Sequence, residues 1–204
     1  MLNRRARALF TRLFTPVAKV LLKAGVTPDA VTVFGTLGAV VSAAVLYPMG
    51  QLFWGTVAVT LFIFSDVVDG IMARLSGRSG SWGGFLDATL DRFADGVLFG
   101  SVAFWFFTGG GNPYIGAASL TCLVLGSVVS YARAKAESLG FSCNVGIAER
   151  AERILALLLL TGLTGLGLPE VYLLVTLVLL ALASLVTIAQ RIGTVHRQAS
   201  LNAK

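Results

Sequence analysis

The chain has 204 residues, 56% of them hydrophobic and only 13% charged, with a net charge of +6 and a mean hydropathy of +0.83. Soluble domains average about 45–50% apolar and about 25% charged residues, so this composition excludes an ordinary water-soluble globule. It calls for an apolar solvent and points to one helical, membrane-integral domain.

The first segment, MLNRRARALFTRLFTPVAKVLLKAG, has a basic start but no continuous apolar stretch of signal-peptide length. Leu2, Ala6, Leu9, Leu13, Val17 and Val20 share a helical face, with Arg5, Arg12, Lys19 and Lys23 along its flank. That pattern suits an amphipathic helix lying in the membrane interface over residues 1–26, kinked or divided at Pro16. TPD at 27–29 reads as a helix start, with Thr27 as N-cap and Pro28 at the first helical position.

Six apolar runs follow, at about 30–49, 52–73, 84–108, 113–132, 154–168 and 171–190, each near the ~20 residues a spanning helix needs. The connectors YPMGQ, LSGRSGSWG, GGGNP and GLGLPE, and a longer one over 139–149, carry turn-forming Gly, Pro and Asn. Every one of the 16 Lys and Arg lies in the N-terminal segment, at or beside the second and fourth connectors, or near the C-terminus. By the positive-inside rule both termini and residues 65–91 face the cytoplasm. The expected fold is all-α: six transmembrane helices over 27–193 around a cytosol-facing polar cavity, then a cytosolic tail over 194–204. Gly96 and Gly100 form a GxxxG pair of the kind that draws two helices together. Cys122 and Cys143 show no metal-type spacing, and His196 stands alone near the C-terminus.

The chemistry concentrates in SDVVDGIMARLSGRSGSWGGFLDATLD, residues 65–91. Asp66 and Asp69 are spaced i, i+3 near the end of the second run. Asp87 and Asp91 are spaced i, i+4 near the start of the third, so each pair shares a helix face. A nine-residue connector at 75–83 makes the two helices an antiparallel hairpin. Four carboxylates in one small volume cannot all ionise unassisted, and one or two hard divalent cations resolve the repulsion. Gly70 and Ala73 leave the helix bare beside Asp69, and Arg74 places a cation one turn away, which suits phosphate oxygens. The competing structural explanation pairs the acids with Arg74, Arg78 and Arg92 at a helix end.

Asp66-x2-Asp69-Gly70-x2-Ala73-Arg74-x8-Gly83-x3-Asp87-x3-Asp91 resembles the CDP-alcohol phosphotransferase motif at all eight fixed positions. The resemblance implies a CDP-linked lipid, CDP-diacylglycerol, as donor, with its diphosphate on Mg²⁺ or Mn²⁺, two ions in all. It implies Asp66, Asp69, Asp87 and Asp91 as metal ligands, and Asp91 also as the base that takes the alcohol proton. Gly70, Ala73 and Arg74 would meet the donor's diphosphate. The PDAVT stretch resembles the family's segment beside the nucleotide, which carries over Asp29, Ala30, Val31 and Thr32. Ser79 and Gly80 lie in the connector that would cap the pocket. Asp95 continues the Asp87–Asp91 stripe but has no place in the motif, so it reads as a supporting partner of Arg92 or of a pocket cation. A homodimer is the family expectation, and no nucleic-acid partner is implied.

A second basic cluster bears on the acceptor. SYARAKAESLGF carries Arg133 and Lys135, GIAERAERI carries Arg150 and Arg153, and Arg191 closes the sixth run. Snorkelling at helix ends explains any one of them. Together they point to an anionic acceptor, with Lys135, Arg153 and Arg191 as phosphate holders and Arg133 and Arg150 beside them. The first two segments are similar to those of the family branch whose acceptor is inositol 1-phosphate. Glycerol 3-phosphate, also a phosphorylated polyol, is the closest alternative. An ion or proton transporter is a distant one, because it needs ionisable groups through the bilayer depth and here they gather at one end.

Overall fold

The structure, a computed structural model, describes residues 4–77 and 80–202, with side chains at 13–65, 67–77 and 80–201. The described residues form eight α-helices and no strand: α1 (Arg4–Lys23), α2 (Pro28–Leu46), α3 (Leu52–Ile63), α4 (Ser65–Ser76), α5 (Ser81–Thr108), α6 (Pro113–Ser138), α7 (Arg150–Gly165) and α8 (Glu170–Asn202). Four stretches are long and apolar enough to cross a bilayer: α2, α3 with α4, α6 and α8. α5 has 28 residues but carries Asp87, Asp91, Arg92 and Asp95 within its first fifteen. α7 has 16 residues, fewer than the ~20 of a full span.

Local chemistry explains the boundaries. Thr27 accepts the Ala30 N–H at 3.2 Å and Pro28 takes the first helical position, so α2 starts where the TPD signal placed it. α4 ends because Gly77 adopts the left-handed conformation (φ 66°, ψ 11°). Gly80 is extended, and α5 begins at the next residue. The link between the acidic helices is therefore residues 77–80, shorter than the nine expected, because both flanks stay helical. α1 runs unbroken through Pro16, whose missing N–H removes only one bond from the ladder. α8 is 33 residues, about 50 Å at 1.5 Å per residue. That exceeds the ~30 Å hydrocarbon core. Residues 194–202, expected to be a separate tail, continue α8.

The second run is interrupted at Phe64. The Val67 N–H bonds back only three residues, to the Phe64 carbonyl at 3.2 Å, and Ser65 Oγ donates to the Phe62 carbonyl at 2.6 Å. This tight turn sits against α2 at Gly35 and Gly38. A Cβ on Gly35 would overlap the Ser65 side chain, and one on Gly38 would overlap the Phe62 ring. A close helix approach is made here, as it also is between α7 and α3, where a Cβ on Gly165 would overlap the Phe53 backbone. At Gly96 and Gly100 a Cβ would meet nothing within 4 Å, so the GxxxG pair draws no helix of this chain close.

Contacts between helices close a ring in the order α2, α5, α6, α8, α7, α3 and back to α2. Tyr47, Val59, Phe99, Val102, Phe106, Ile115, Leu157, Leu173 and Leu177 fill its interior. α1 lies outside the ring on α4, through Ala18, Val68, Ile71 and Met72, with Phe14, Leu21 and Leu22 around them. Leu13, Val17 and Val20, from the stripe read in the sequence, remain exposed. The described part of α1 thus has two apolar faces, one on the bundle and one free.

Candidate active site

The ring brings the start of α2, the whole of α4, the start of α5 and the start of α7 together at one end. Thr32 sits one turn into α2. Its hydroxyl donates to Asp69 Oδ2 and also approaches the Pro28 carbonyl at 3.2 Å. Thr32 and Asp69 are both buried. Asp87 and Asp91, on the neighbouring acidic helix, lie within electrostatic reach of Asp69. Asp87 is exposed and Asp91 half-buried. The Asp66 side chain and Ser79 lie outside the described residues.

Asp91 is held from α7. Arg150 Nη1 lies 2.8 Å from Asp91 Oδ1, and its Nε donates to Asp95 Oδ1 at 2.9 Å. Arg92 Nη2 stands 3.3 Å from Asp95 Oδ2 and 3.9 Å from Asp91 Oδ2, while its Nη1 donates to Ser130 Oγ on α6. One network therefore ties α5, α6 and α7 at the level of the acids. Its members Ser130 and the Arg150–Asp91 contact were not legible in the sequence. The partners are tens of residues apart, and only the ring order makes them neighbours. Arg92 and Asp95, at i and i+3, were the visible part. A narrow cleft opens beside this network, lined by Gly35, Thr36, Phe62, Asp91, Arg150 and Ile154 among others.

A second, wider opening lies between the start of α2 and the start of α5, with Thr27, Pro28, Asp29, Gly80, Trp82 and Gly83 around it. A Cβ on Gly83 would find only the Asp29 carboxylate, at 3.8 Å. The PDAVT stretch and the motif glycine therefore share one wall, and Trp82, which the sequence reading passed over, joins them. Of the other residues carried over, the Ala30 N–H serves the helix cap, and Val31 packs into the α1–α4 cluster. Gly70 has open space where a Cβ would stand. Ala73 is half-buried beside it, and Arg74 is exposed with no ion pair among the described residues.

The second basic cluster divides into three kinds. Arg133 pairs with Glu137 at 2.9 Å, and Lys135 is exposed. Arg150 bridges the two aspartates. Arg153 (1% exposed) and Arg191 (3%) lie deeper and donate to backbone carbonyls: Arg153 to Ala148 at 2.8 Å and Gly126 at 3.4 Å, Arg191 to Val145 at 2.9 Å and to Val129. A guanidinium has five N–H donors, so these bonds leave others on each.

Among the described residues no three His, Cys, Asp or Glu side chains already stand close enough to hold a metal. Asp66 falls outside that comparison. The donor chemistry fits a hard divalent cation: the motif offers carboxylate oxygens alone, with no imidazole or thiolate among them. As the chain stands, Thr32 and Arg150 satisfy Asp69 and Asp91. The bare surface at Gly70 and the exposed Arg74 fit a phosphate next to such an ion.

Residues 25–189 match the model of the CDP-alcohol phosphatidyltransferase family, and the chain belongs to that family. It is thus a membrane-associated transferase. A phosphatidylinositol phosphate synthase of Streptomyces avermitilis is 50% identical over 206 aligned residues, 98% of this chain and 84% of that one. One of Cutibacterium acnes is 46% identical over 94% of this chain and 96% of its own length. The crystal structure of the Mycobacterium tuberculosis phosphatidylinositol phosphate synthase with CDP-DAG bound has a TM-score of 0.85, at 40% identity over 90% of this chain and 94% of that one. A second structure of that enzyme, in complex with manganese and citrate, has a TM-score of 0.84, at 40% identity over 89% of this chain and 88% of that one.

Proposed function

We propose that the chain transfers the phosphatidyl group of CDP-diacylglycerol to inositol 1-phosphate, giving phosphatidylinositol phosphate and CMP. The observation that carries this reading is near full-length identity with synthases of that name, joined to a site that sets cations behind paired carboxylates. In this reading Asp66, Asp69, Asp87 and Asp91 hold two ions, Mg²⁺ or Mn²⁺. Such ions, when bound, neutralise the diphosphate and the charge that develops on the departing CMP.

The chain's own residues do the rest. The hydroxyl of Thr32 keeps Asp69 turned toward the site. Gly70 and Ala73 let the diphosphate lie against α4, with Arg74 on its oxygens. Asp29, Thr32 and the adjoining Ala30 and Val31 backbone form the nucleotide wall, and Ser79 and Gly80 close it. The acceptor phosphate lies on Lys135, Arg153 and Arg191, with Arg133 and Arg150 next to them. Asp91, oriented by Arg150, takes the proton of the attacking hydroxyl as that oxygen bonds to the lipid-side phosphorus and the bond to CMP breaks.

The same reading includes six membrane spans, with α5 and α7 completing the ring, both termini and the site on the cytoplasmic side, α1 in the interface, and a homodimer. The one-sided distribution of Lys and Arg supports the orientation. The exposed Leu13, Val17 and Val20 on α1 support the interfacial placement. The test is CMP release by purified protein with CDP-diacylglycerol and Mn²⁺ or Mg²⁺, comparing inositol 1-phosphate, inositol, glycerol 3-phosphate and serine. Release with inositol 1-phosphate alone is expected. Release with glycerol 3-phosphate alone overturns the acceptor but keeps the chemistry. Ion flux in liposomes without CMP release from any acceptor overturns both.

A further inference from the structure

The connector between α6 and α7, residues 139–149, is the longest irregular stretch among the described residues. Arg133 and Lys135 precede it, and Arg150 and Arg153 follow it directly. It is the covalent link between the two halves of the basic cluster, beside the direct bond from Arg153 to the Gly126 carbonyl. It contains Gly140 and Gly146 at φ 82° and 144°, a backbone with little stiffness of its own.

What fixes it is one face of α8. Thr187, Arg191 and Gln198, spaced i, i+4 and i+11, lie along that face. Thr187 Oγ1 accepts the N–H groups of Ile147 and Ala148, both at 3.1 Å, at a residue with no exposed surface. Arg191 donates to the Val145 carbonyl at 2.9 Å. Gln198 closes the near end as a strand neighbour does: its Nε2 donates to the Ser142 carbonyl at 2.7 Å, and its Oε1 accepts the Ser142 N–H at 3.0 Å. A Cβ on Gly146 would be about one bond length too close to Thr187 Cγ2, at 2.5 Å, so backbone and helix are in direct contact there. These bonds account for connector donors and acceptors that its own irregular path leaves unpaired. The Gln198 pair exists only because α8 continues past residue 193 as helix.

We propose that the C-terminal part of α8 is a clamp that positions the α6–α7 connector for the acceptor, with Gln198 and Thr187 as its positioning residues. The proposal rests on the acceptor reading above. Neither residue touches the acidic helices or the nucleotide wall, so the clamp acts on the acceptor side alone. Loosening it lets the Lys135 and Arg153 ends of the cluster drift apart while the carboxylates stay in place.

The experiment uses the full-length protein in nanodiscs, as wild type, Gln198→Ala, Gln198→Glu and Thr187→Val. Glu keeps the acceptor oxygen of Gln198 and loses its donor, and Val keeps the shape of Thr187 and loses its hydroxyl. Steady-state kinetics are measured against the preferred phosphorylated acceptor and against CDP-diacylglycerol, with hydrogen exchange followed over residues 140–148. Gln198→Ala and Thr187→Val are expected to raise the acceptor KM about tenfold, with the donor KM and kcat within about twofold and Gln198→Glu in between. Exchange at 140–148 should speed up, while α2, α4 and α5 stay protected. An unchanged acceptor KM, or equal rises in both KM values, overturns the proposal. Unchanged exchange overturns the clamp itself. If wild type prefers glycerol 3-phosphate, the acceptor assignment fails, and the same KM comparison with that acceptor still decides the clamp.

Discussion

Replacing Asp95 by Asn tests whether the acid outside the family motif supports the one inside it. The Asp95 side chain is 9% exposed and receives two guanidinium groups, Arg150 at 2.9 Å and Arg92 at 3.3 Å. Asn keeps the size but loses the charge, and its NH₂ group would face one of those donors. Charge-assisted hydrogen bonds contribute about 1.5–3 kcal/mol each, and breaking a buried ion pair costs about 3–5 kcal/mol. The side chains of Arg92 and Arg150 are 32% and 30% exposed, so water replaces part of the loss. The expected destabilisation is accordingly at the lower end, about 2–3 kcal/mol. Function should suffer more. Arg150 then holds Asp91 through Nη1 without its second anchor, and a shift of about 1 Å at a reacting group costs on the order of 100-fold in rate. The assay is CMP release at saturating substrates for Asp95→Asn, Arg150→Gln and the double variant, with thermal unfolding of each. If Asp95 acts through Arg150, the double variant is no slower than Arg150→Gln alone. Rates that multiply, or an Asp95→Asn enzyme as fast as wild type, refute the reasoning.

Asp91→Asn should lower kcat by about 10²–10⁴-fold, the range of a lost general base, while the protein unfolds at a temperature close to that of wild type. Chelation should abolish CMP release and Mn²⁺ or Mg²⁺ restore it, with titration calorimetry counting two ions per chain in the proposed reading. Thr32→Val removes the hydroxyl that donates to Asp69 and should weaken Mn²⁺ binding about 10–100-fold, the usual effect of losing a partner of a metal ligand. Gly35→Ala places a methyl on Ser65 at the α3–α4 turn, and overpacking there should cost about 1–3 kcal/mol in thermal unfolding and displace α4.

The membrane class and the helical architecture were legible in the chain because they are written in short-range terms. Apolar runs of bilayer length show in composition. Carboxylates at i, i+3 and i, i+4 share a face whatever surrounds them. Thr27 caps α2 through a bond three residues long, so its signal is local as well. Element ends were less legible. The α4–α5 link shrank to 77–80, since packing extends a helix where turn residues alone suggest a longer connector.

Partners far apart in sequence were decided by the fold. Thr32 reaches Asp69, Arg92 reaches Ser130, and Arg150 reaches Asp91 and Asp95, each pair separated by more than thirty residues. The sequence singles out Lys135, Arg153 and Arg191 as phosphate holders and sets Arg133 and Arg150 beside them. Ring closure sorted this basic cluster into an exposed lysine, an arginine paired on its own helix, one bridging carboxylates and two buried against carbonyls. A residue's type and spacing say what it can bond. Which of several arginines meets an acid or a carbonyl depends on the order of helices around the ring, and that order comes from side-chain packing such as Gly162 of α7 against Thr56 of α3, which leaves no periodic trace in the chain.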